Sequence, residues 1–369
     1  MVASSRLVTL VAAALLGAAL PSPTSAKSWC AYPLHVHEWG VHVFGGDGAA
    51  RAESGLLPTW FAGPGKTLAA APRVPVRTLP ADSGVRDLPV VHFYSPRGAS
   101  ATIPVGLEVG FTQGLASTWY PDVDLLRPRG AAPQLVWERL DLGPAPALTP
   151  AATDVPWIRE ARALDALWVQ APGASERFVF YEATTSERVP LALRRGATWG
   201  PGRRHLELHN TGRHAVHDLL VVHREGSTVF VFDAATIPAG KSAGFVLDDH
   251  APRDVRAATR GALVDALVDH ASPVAPTTYR WDHDRCVMMR DPAVPVTKAD
   301  GHRLYRAEVD LLLGVWGERL FDRPGTTIVY REDAAYLDEV MPLAVYTDMY
   351  NYVVLRRAGL AVWSDVPLP

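Results

Sequence analysis

The densest group of ionisable side chains within an apolar part of the sequence is the run His35-Val36-His37-Glu38-Trp39-Gly40-Val41-His42. Side chains alternate between the two faces of a β-strand, so His35 and His37 would share one face with Trp39. Glu38 and His42 would share the opposite face. Imidazoles at positions i and i+2 project the same way and can bind one metal ion. The run therefore predicts a metal site that contains His35 and His37.

The same run also fits a simpler structure. In that alternative, the histidines and the glutamate of a buried strand only hydrogen-bond to neighbouring backbone. Cupins and carbonic anhydrases use H-x-H pairs, but each adds further ligands. No glutamate follows His37 at the cupin spacing, and no later strand shows a clear third histidine. Spacing alone leaves both interpretations open.

The first 26 residues have the pattern of a secretory signal peptide. Arg6 precedes the apolar run Leu7–Leu20, and the small residues Thr24 and Ala26 occupy the positions of a cleavage site. The pattern predicts an exported protein, periplasmic or extracellular, without a transmembrane segment after cleavage. An uncleaved membrane anchor is the alternative.

Two cysteines, Cys30 and Cys286, remain after cleavage. In an oxidising compartment an even number of cysteines predicts a disulfide, and two free buried thiols are the alternative. Trp281–Asp284 comes just before Cys286, so a bridge to Cys30 would bring these polar residues close to His35 and His37. Five extended residues reach at most about 17 Å.

This convergence predicts a metal site with ligands from two segments, namely His35, His37, Asp282, His283 and Asp284. A divalent ion such as zinc would be the cofactor, and Glu38 or one of the aspartates would act as the general base. The predicted function is an exported metal-dependent hydrolase.

A second hypothesis is a non-enzymatic envelope protein that binds carbohydrate or protein. Several of the 11 tryptophans, including Trp60, Trp119 and Trp199, lie near predicted turns. An exposed indole ring can stack on a sugar or pack against a partner, although tryptophan is more often part of a core. The sandwich-like middle region also motivates this hypothesis, and burial of the rings in every case would remove its basis.

Other short matches to catalytic motifs do not have the sequence context that those motifs require. Gly240–Gly244 satisfies the G-x-S-x-G string, but a nucleophile elbow needs a strand before it and a helix after it. Here Pro238 precedes the string and the apolar residues Phe245–Leu247 continue as a strand, so a turn is predicted. Gly65-Lys66-Thr67 and Gly240-Lys241-Ser242 lack the first glycine of a phosphate-binding loop.

Composition places the chain among ordinary globular proteins. It has 369 residues, a formal net charge of −3 and 48% apolar residues. A nucleic-acid-binding protein usually carries a basic excess, so the near-neutral balance argues against a nucleic-acid partner.

The sequence contains many short predicted strands that are separated by turn-forming residues. This pattern predicts a mainly β, antiparallel fold that is α+β overall. We expect a β-rich N-terminal region over 27–145 and an immunoglobulin-like sandwich over 151–250. The last region, 251–369, should contain two longer helices, over 255–268 and 304–321, and closing strands packed on the N-terminal region.

Several short blocks resemble a family of uncharacterised secreted bacterial proteins with an H-E-W-G-T-F-type motif near the mature N-terminus. The blocks are His37–Gly40, Leu88–Ser95, Thr118–Pro121, Pro324–Tyr330 and Met341–Leu343, in the family's order over most of the mature chain. Val41-His42-Val43 departs from the usual Thr-Phe-Thr continuation. The resemblance implies export but not a particular reaction.

Overall fold

The protein is described by a computed structural model. The described residues are 32–51, 57–58, 60–63, 84–95, 102–128, 133–196, 204–247, 254–271, 301–347 and 351–369. The predicted signal peptide, both cysteines and the predicted ligands Asp282, His283 and Asp284 lie outside these residues.

Seventeen strands and four α-helices are described. The strands are β1 Tyr32–Phe44, β2 Gly84–Tyr94, β3 Ile103–Val109, β4 Gly114–Tyr120, β5 Leu125–Leu126, β6 Leu135–Gly143, β7 Trp168–Ala171, β8 Ala174–Glu176, β9 Val179–Thr185, β10 Leu191–Arg195, β11 Arg204–Asn210, β12 Val216–Glu225, β13 Thr228–Ile237, β14 Ser242–Leu247, β15 Gly325–Glu332, β16 Leu343–Thr347 and β17 Asn351–Trp363. The helices are α1 Pro156–Ala163, α2 Val255–Leu267, α3 Arg306–Val315 and α4 Ala334–Val340, and a π-helical turn spans Glu318–Asp322.

An eight-stranded sheet forms the centre, in the order β13-β12-β15-β17-β1-β2-β9-β4. Strand β1 lies inside this sheet, parallel to β17 and antiparallel to β2. Both faces of β1 carry buried apolar residues, as expected for a strand that is covered on both sides. Val36 packs in the core on one side of the sheet, and Val41 in the core on the other.

Different layers cover the two faces of the central sheet. Helices α1, α2 and α3 bury one face, where Trp39 of β1 packs with Ile158 of α1, Leu263 of α2 and Leu312 of α3. A six-stranded sheet covers part of the other face, in the order β16-β3-β6-β7-β8 with β5 paired to β6. Residues on the two faces of β1 therefore lie in separate environments.

A three-stranded sheet, β10-β11-β14, packs on one end of the central sheet. Leu208 of β11 and Phe245 of β14 share a core with Val221 of β12 and Tyr330 of β15. The three-stranded sheet therefore forms one side of a sandwich, and the facing sheet combines β12 and β13 with β15, β17 and β1 from outside 151–250. The immunoglobulin-like topology is not confirmed, and the division into regions stays a prediction.

The broader fold predictions are confirmed. The structure is mainly β with several antiparallel sheets. Both longer helices lie in the last third, although α3 ends at Val315 and is followed by the π-helical turn. Gly240 has a positive φ of 68° in the turn before β14, so the G-x-S-x-G string begins in a turn and continues into a strand, with no helix directly after it. No described helix is long and apolar enough to cross a membrane.

Candidate functional site

A histidine cluster, defined here as His35, His37, His92 and Glu308, lies under the helices. Alternation along β1 places His35 and His37 on the helix-covered face with Trp39, as the sequence predicted. Strand β2 brings His92 directly opposite His37 in the antiparallel ladder. Cβ atoms of such cross-strand pairs are about 4.5–5.5 Å apart, so the two imidazoles are neighbours.

Glu308 of α3 connects the two strands. Its Oε2 lies 2.7 Å from Nδ1 of His37 and accepts a 2.9 Å hydrogen bond from the backbone N–H of Tyr305, the helix N-cap. Its Oε1 lies 3.8 Å from Nδ1 of His92. The side chains of His37, His92 and Glu308 are at most 1% exposed. One carboxylate therefore orients His37 through one oxygen and lies near His92 with the other.

The surroundings favour neutral imidazoles at His35 and His92 and an ionised carboxylate at Glu308. Burial lowers the pKa of His92 to about 4 and, together with the nearby His37, lowers the pKa of His35 to about 3. Burial opposes ionisation of Glu308, but His37 outweighs it and holds the pKa of Glu308 below its usual value. At neutral pH His35 and His92 thus keep a lone pair on one ring nitrogen.

Several buried nitrogens of the cluster have no hydrogen-bond partner among the described residues. They are Nε2 of His37, both ring nitrogens of His92 and Nδ1 of His35. An unsatisfied buried polar group costs about 1–3 kcal/mol, so such a group needs an explanation. A histidine whose Nδ1 is bonded to a carboxylate presents Nε2 to a metal ion or to a proton in transfer.

Described residues that flank the stretch 272–300 lie near this cluster. Arg356 of β17 is the ladder neighbour of His37, and its Nη1 donates to Asp269 Oδ2 at 2.5 Å. Gly301, on the other side of the stretch, pairs with the same Arg356. The chain thus leaves and rejoins the described structure at the edge of the histidine cluster.

The described residues do not form a complete metal site. No group of three or more His, Cys, Asp and Glu side chains there could hold a metal ion as it stands. The ring centroids of His35 and His37 are 6.4 Å apart. The metal prediction and the predicted disulfide therefore stay predictions.

Glu38 lies on the opposite face of β1, as alternation predicts. Nε of Arg357 and the hydroxyl of Tyr181 both donate to its carboxylate. Arg357 also donates to Asp338 Oδ1 at 3.0 Å and to the carbonyl of Met341 at 2.8 Å. The carboxylate is thus separated from His35 and His37 by the sheet and is fully engaged in an ion pair. Its predicted role as a base stays a prediction.

A second buried network follows on the same face as Glu38. Arg86 lies between two carboxylates: its Nη2 is 2.8 Å from Glu187 Oε2 and 3.1 Å from Glu332 Oε1. Nδ1 of His42 is 3.3 Å from Glu187 and 3.6 Å from Glu332. All four side chains are at most 7% exposed. We call them the Arg86 network.

Glu332 should make stability depend on acid pH. Burial opposes its ionisation, but Arg86 and His42 lower its pKa to about 2, from an ordinary value of 4.5. A carboxyl with a depressed folded-state pKa contributes its stability above the unfolded-state pKa, and this contribution is lost as the pH falls toward the folded value. Between about pH 5 and about pH 2, the wild type should lose roughly 3 kcal/mol more unfolding free energy than Glu332→Gln.

Urea denaturation at each pH measures this difference. Glu339→Gln removes an exposed carboxylate and serves as the control, so its profile should keep the Glu332 contribution. Parallel profiles for the wild type and Glu332→Gln would show that Glu332 does not have a depressed pKa.

The tryptophans that suggested a binding role are not exposed platforms where the structure describes them. Trp119 is buried, and its Nε1 donates to Asp122 at 3.1 Å. Trp60 packs edge-on against Phe61 and Tyr120. Trp199 lies outside the described residues.

Comparisons with known proteins do not identify the chain. No protein-family model and no curated protein sequence matches it. It is similar to the Fcho1 mu homology domain of Danio rerio with bound Eps15 peptide, at 8% identity and a TM-score of 0.29, over 91% of this chain and 95% of that one. It is also similar to the yeast delta-COP-I mu-homology domain complexed with a Dsl1 WxWxV peptide, at 8% identity and a TM-score of 0.33, over 92% and 98%. Such low scores transfer no function, and the resemblance to the secreted family stays a prediction.

Proposed function

We propose that this chain is an exported, metal-dependent hydrolase in which imidazoles of the histidine cluster bind a divalent ion such as zinc. The observation that carries the proposal is the buried Nε2 of His37, which has no hydrogen-bond partner among the described residues while Glu308 holds Nδ1. Carboxylate–histidine–metal arrangements have this geometry. His35 and His92 supply further nitrogens on the same face.

Each residue of the cluster has a separate role in this proposal. Glu308 keeps the proton on Nδ1 of His37 and so directs the lone pair to Nε2. Tyr94 and Tyr305 enclose the ring of His37, with centroids 5.3 and 4.5 Å away, and limit its exposure to water. A bound zinc ion supplies Lewis-acid activation of water at neutral pH.

The predicted ligands Asp282, His283 and Asp284 complete the proposal. The described chain on both sides of 272–300 ends beside Arg356, next to His37. A ligand from this stretch would account for the incomplete metal set among the described residues.

Zinc binding provides the test. The full exported protein is stripped with a chelator and reconstituted, and zinc per chain is measured by elemental analysis. We expect stoichiometric zinc in the wild type and its loss in His37→Gln and His92→Gln. Glu308→Gln keeps every proposed imidazole ligand but should weaken zinc affinity about 10–100-fold, because the orienting carboxylate is lost.

His209→Gln is the matched control, since His209 lies on β11 of the three-stranded sheet and hydrogen-bonds Ser242. It should keep wild-type zinc affinity. Substoichiometric zinc in the reconstituted wild type, or stoichiometric zinc in both His37→Gln and His92→Gln, would refute the proposal.

A non-enzymatic envelope or carbohydrate-binding sandwich protein is the second candidate function. The tryptophans do not support it, but the packing of the three-stranded sheet on the central sheet gives the sandwich on which the hypothesis rests. An immunoglobulin-like topology for the middle region remains part of this second proposal.

A further inference from the structure

A surface cleft of about 230 Å³ lies beside the Arg86 network, on the sheet face opposite the histidine cluster. We call it the Tyr336 cleft, after the ring that lines it from α4. Its walls also include Arg188, before β10, and Arg213 and His214, before β12. Pockets for drug-sized ligands occupy about 300–1,000 Å³, so this cleft suits a smaller ligand, of about one ring.

Basic and acidic side chains both line the cleft, with Arg188 and Arg213 beside Glu187, Glu332 and Asp333. Arg213 and His214 both contact the carboxylate of Glu339, His214 at 2.9 Å. At the base, the guanidinium of Arg86 is shared by Glu187 and Glu332. A cleft that bound an anion or a cation would present an excess of the opposite sign. The internal pairing favours an uncharged ligand with many hydrogen-bonding groups.

The cleft combines an aromatic wall with ionised polar groups. The ring of Tyr336 is partly buried: the guanidinium carbon of Arg86 lies over it, 5.6 Å from its centroid, and the ring centroid of His214 is also 5.6 Å away. Tyr330 lies in the same lining. A sugar ring needs these two elements, namely an apolar face for its C–H groups and polar groups that exchange hydrogen bonds with its hydroxyls.

The two glutamates at the base are suited to binding rather than to glycoside hydrolysis. A glycosidase needs one of its two carboxyl groups protonated, as the acid for the leaving group. Arg86 Nη2 lies 2.8 Å from Glu187 Oε2 and 3.1 Å from Glu332 Oε1, so both carboxylates are ion-paired with one guanidinium. Glu332 has its pKa lowered to about 2. Glu332 is therefore not prepared to donate a proton at neutral pH.

We propose that the Tyr336 cleft binds one unit of a neutral saccharide, with its ring against Tyr336 and its hydroxyls on the polar side chains of the walls. This site is separate from the metal site in position and in chemistry. It gives the exported protein a carbohydrate contact that does not depend on zinc.

Saturation-transfer-difference NMR on the full mature protein in chelator tests the inference. N-acetylglucosamine, cellobiose and maltose serve as neutral probes, and glucuronate and glucosamine as charged ones. We expect saturation transfer to at least one neutral probe, and loss of this signal in Tyr336→Ala and in Arg188→Gln. Arg188 is exposed at the rim, so its variant should fold even if Tyr336→Ala does not.

Tyr346→Ala removes an exposed tyrosine on β16 that hydrogen-bonds Glu108, and it should keep the signal. The absence of transfer to every neutral probe would overturn the proposal. Stronger transfer to a charged probe would also overturn it, as would a neutral-probe signal that persists in Arg188→Gln. The chelator keeps these outcomes independent of the metal proposal.

Discussion

Replacing Arg357 by methionine should lower the free energy of unfolding by about 3–5 kcal/mol, because it leaves the carboxylate of Glu38 buried without its cation. The side chain of Arg357 is fully buried and that of Glu38 is 4% exposed. The substitution also removes the hydrogen bonds to Asp338 and to the carbonyl of Met341. Urea denaturation of the wild type and the variant measures the loss.

Two further variants separate the charge effect from lost packing. Glu38→Gln combined with Arg357→Met removes the uncompensated charge and should recover part of the stability. Arg139→Met breaks an exposed pair with Asp141, in which Arg139 is 69% exposed, and should cost at most about 1 kcal/mol. A loss for Arg357→Met as small as that for Arg139→Met would contradict the assignment of Glu38 and Arg357 to a stabilising ion pair.

The predicted disulfide has an effect of similar size. In the loop-entropy model, a bridge between Cys30 and Cys286 contributes about 5 kcal/mol before native strain is subtracted. Cys286→Ser should therefore lower the melting temperature strongly and weaken protection of β1, which begins at Tyr32. Differential scanning calorimetry and hydrogen exchange measure the two effects.

Cys30→Ser is the matched variant, because it breaks the same bond. Both single variants and the double variant should melt at the same temperature, and a reducing agent should bring the wild type to that value. Rapid alkylation of both thiols in the native exported protein would show that the bridge does not exist.

The local structure around β1 was predictable from the sequence. Apolar residues on both faces of the run define a covered strand, and alternation correctly separates His37 from Glu38. The strand at Val90–Tyr94 and the turn before β14 follow equally from residue type. These features depend on residues that are close in the sequence, because hydrophobic periodicity and turn-forming residues determine local structure.

The partners of the histidines were not predictable. Glu308 is 271 positions from His37, and the N-terminal turn of an amphipathic helix does not reveal what its carboxylate faces. His92 is a single histidine inside an apolar strand, a pattern that ordinary core histidines share. Only the register between β1 and β2 shows that it is the third histidine on this face.

Local sequence patterns also could not predict the order of the strands in the sheets. Strands β12 and β13 have the spacing of a small sandwich, but β12 also pairs with β15 from the last third of the chain. The parallel pairing of β1 with β17 joins the two ends of the described chain. Both features arise from long-range burial of apolar faces, which short punctuated strands do not specify.

The central claim is that imidazoles of the histidine cluster bind the metal ion, and X-ray absorption at the zinc edge of the reconstituted full protein tests it most directly. We predict a shell that contains at least two imidazole nitrogens at about 2.0–2.1 Å from zinc, with fewer of them in His92→Gln. A zinc shell of oxygen ligands without imidazole, or an imidazole shell that is unchanged in both His37→Gln and His92→Gln, would contradict the account.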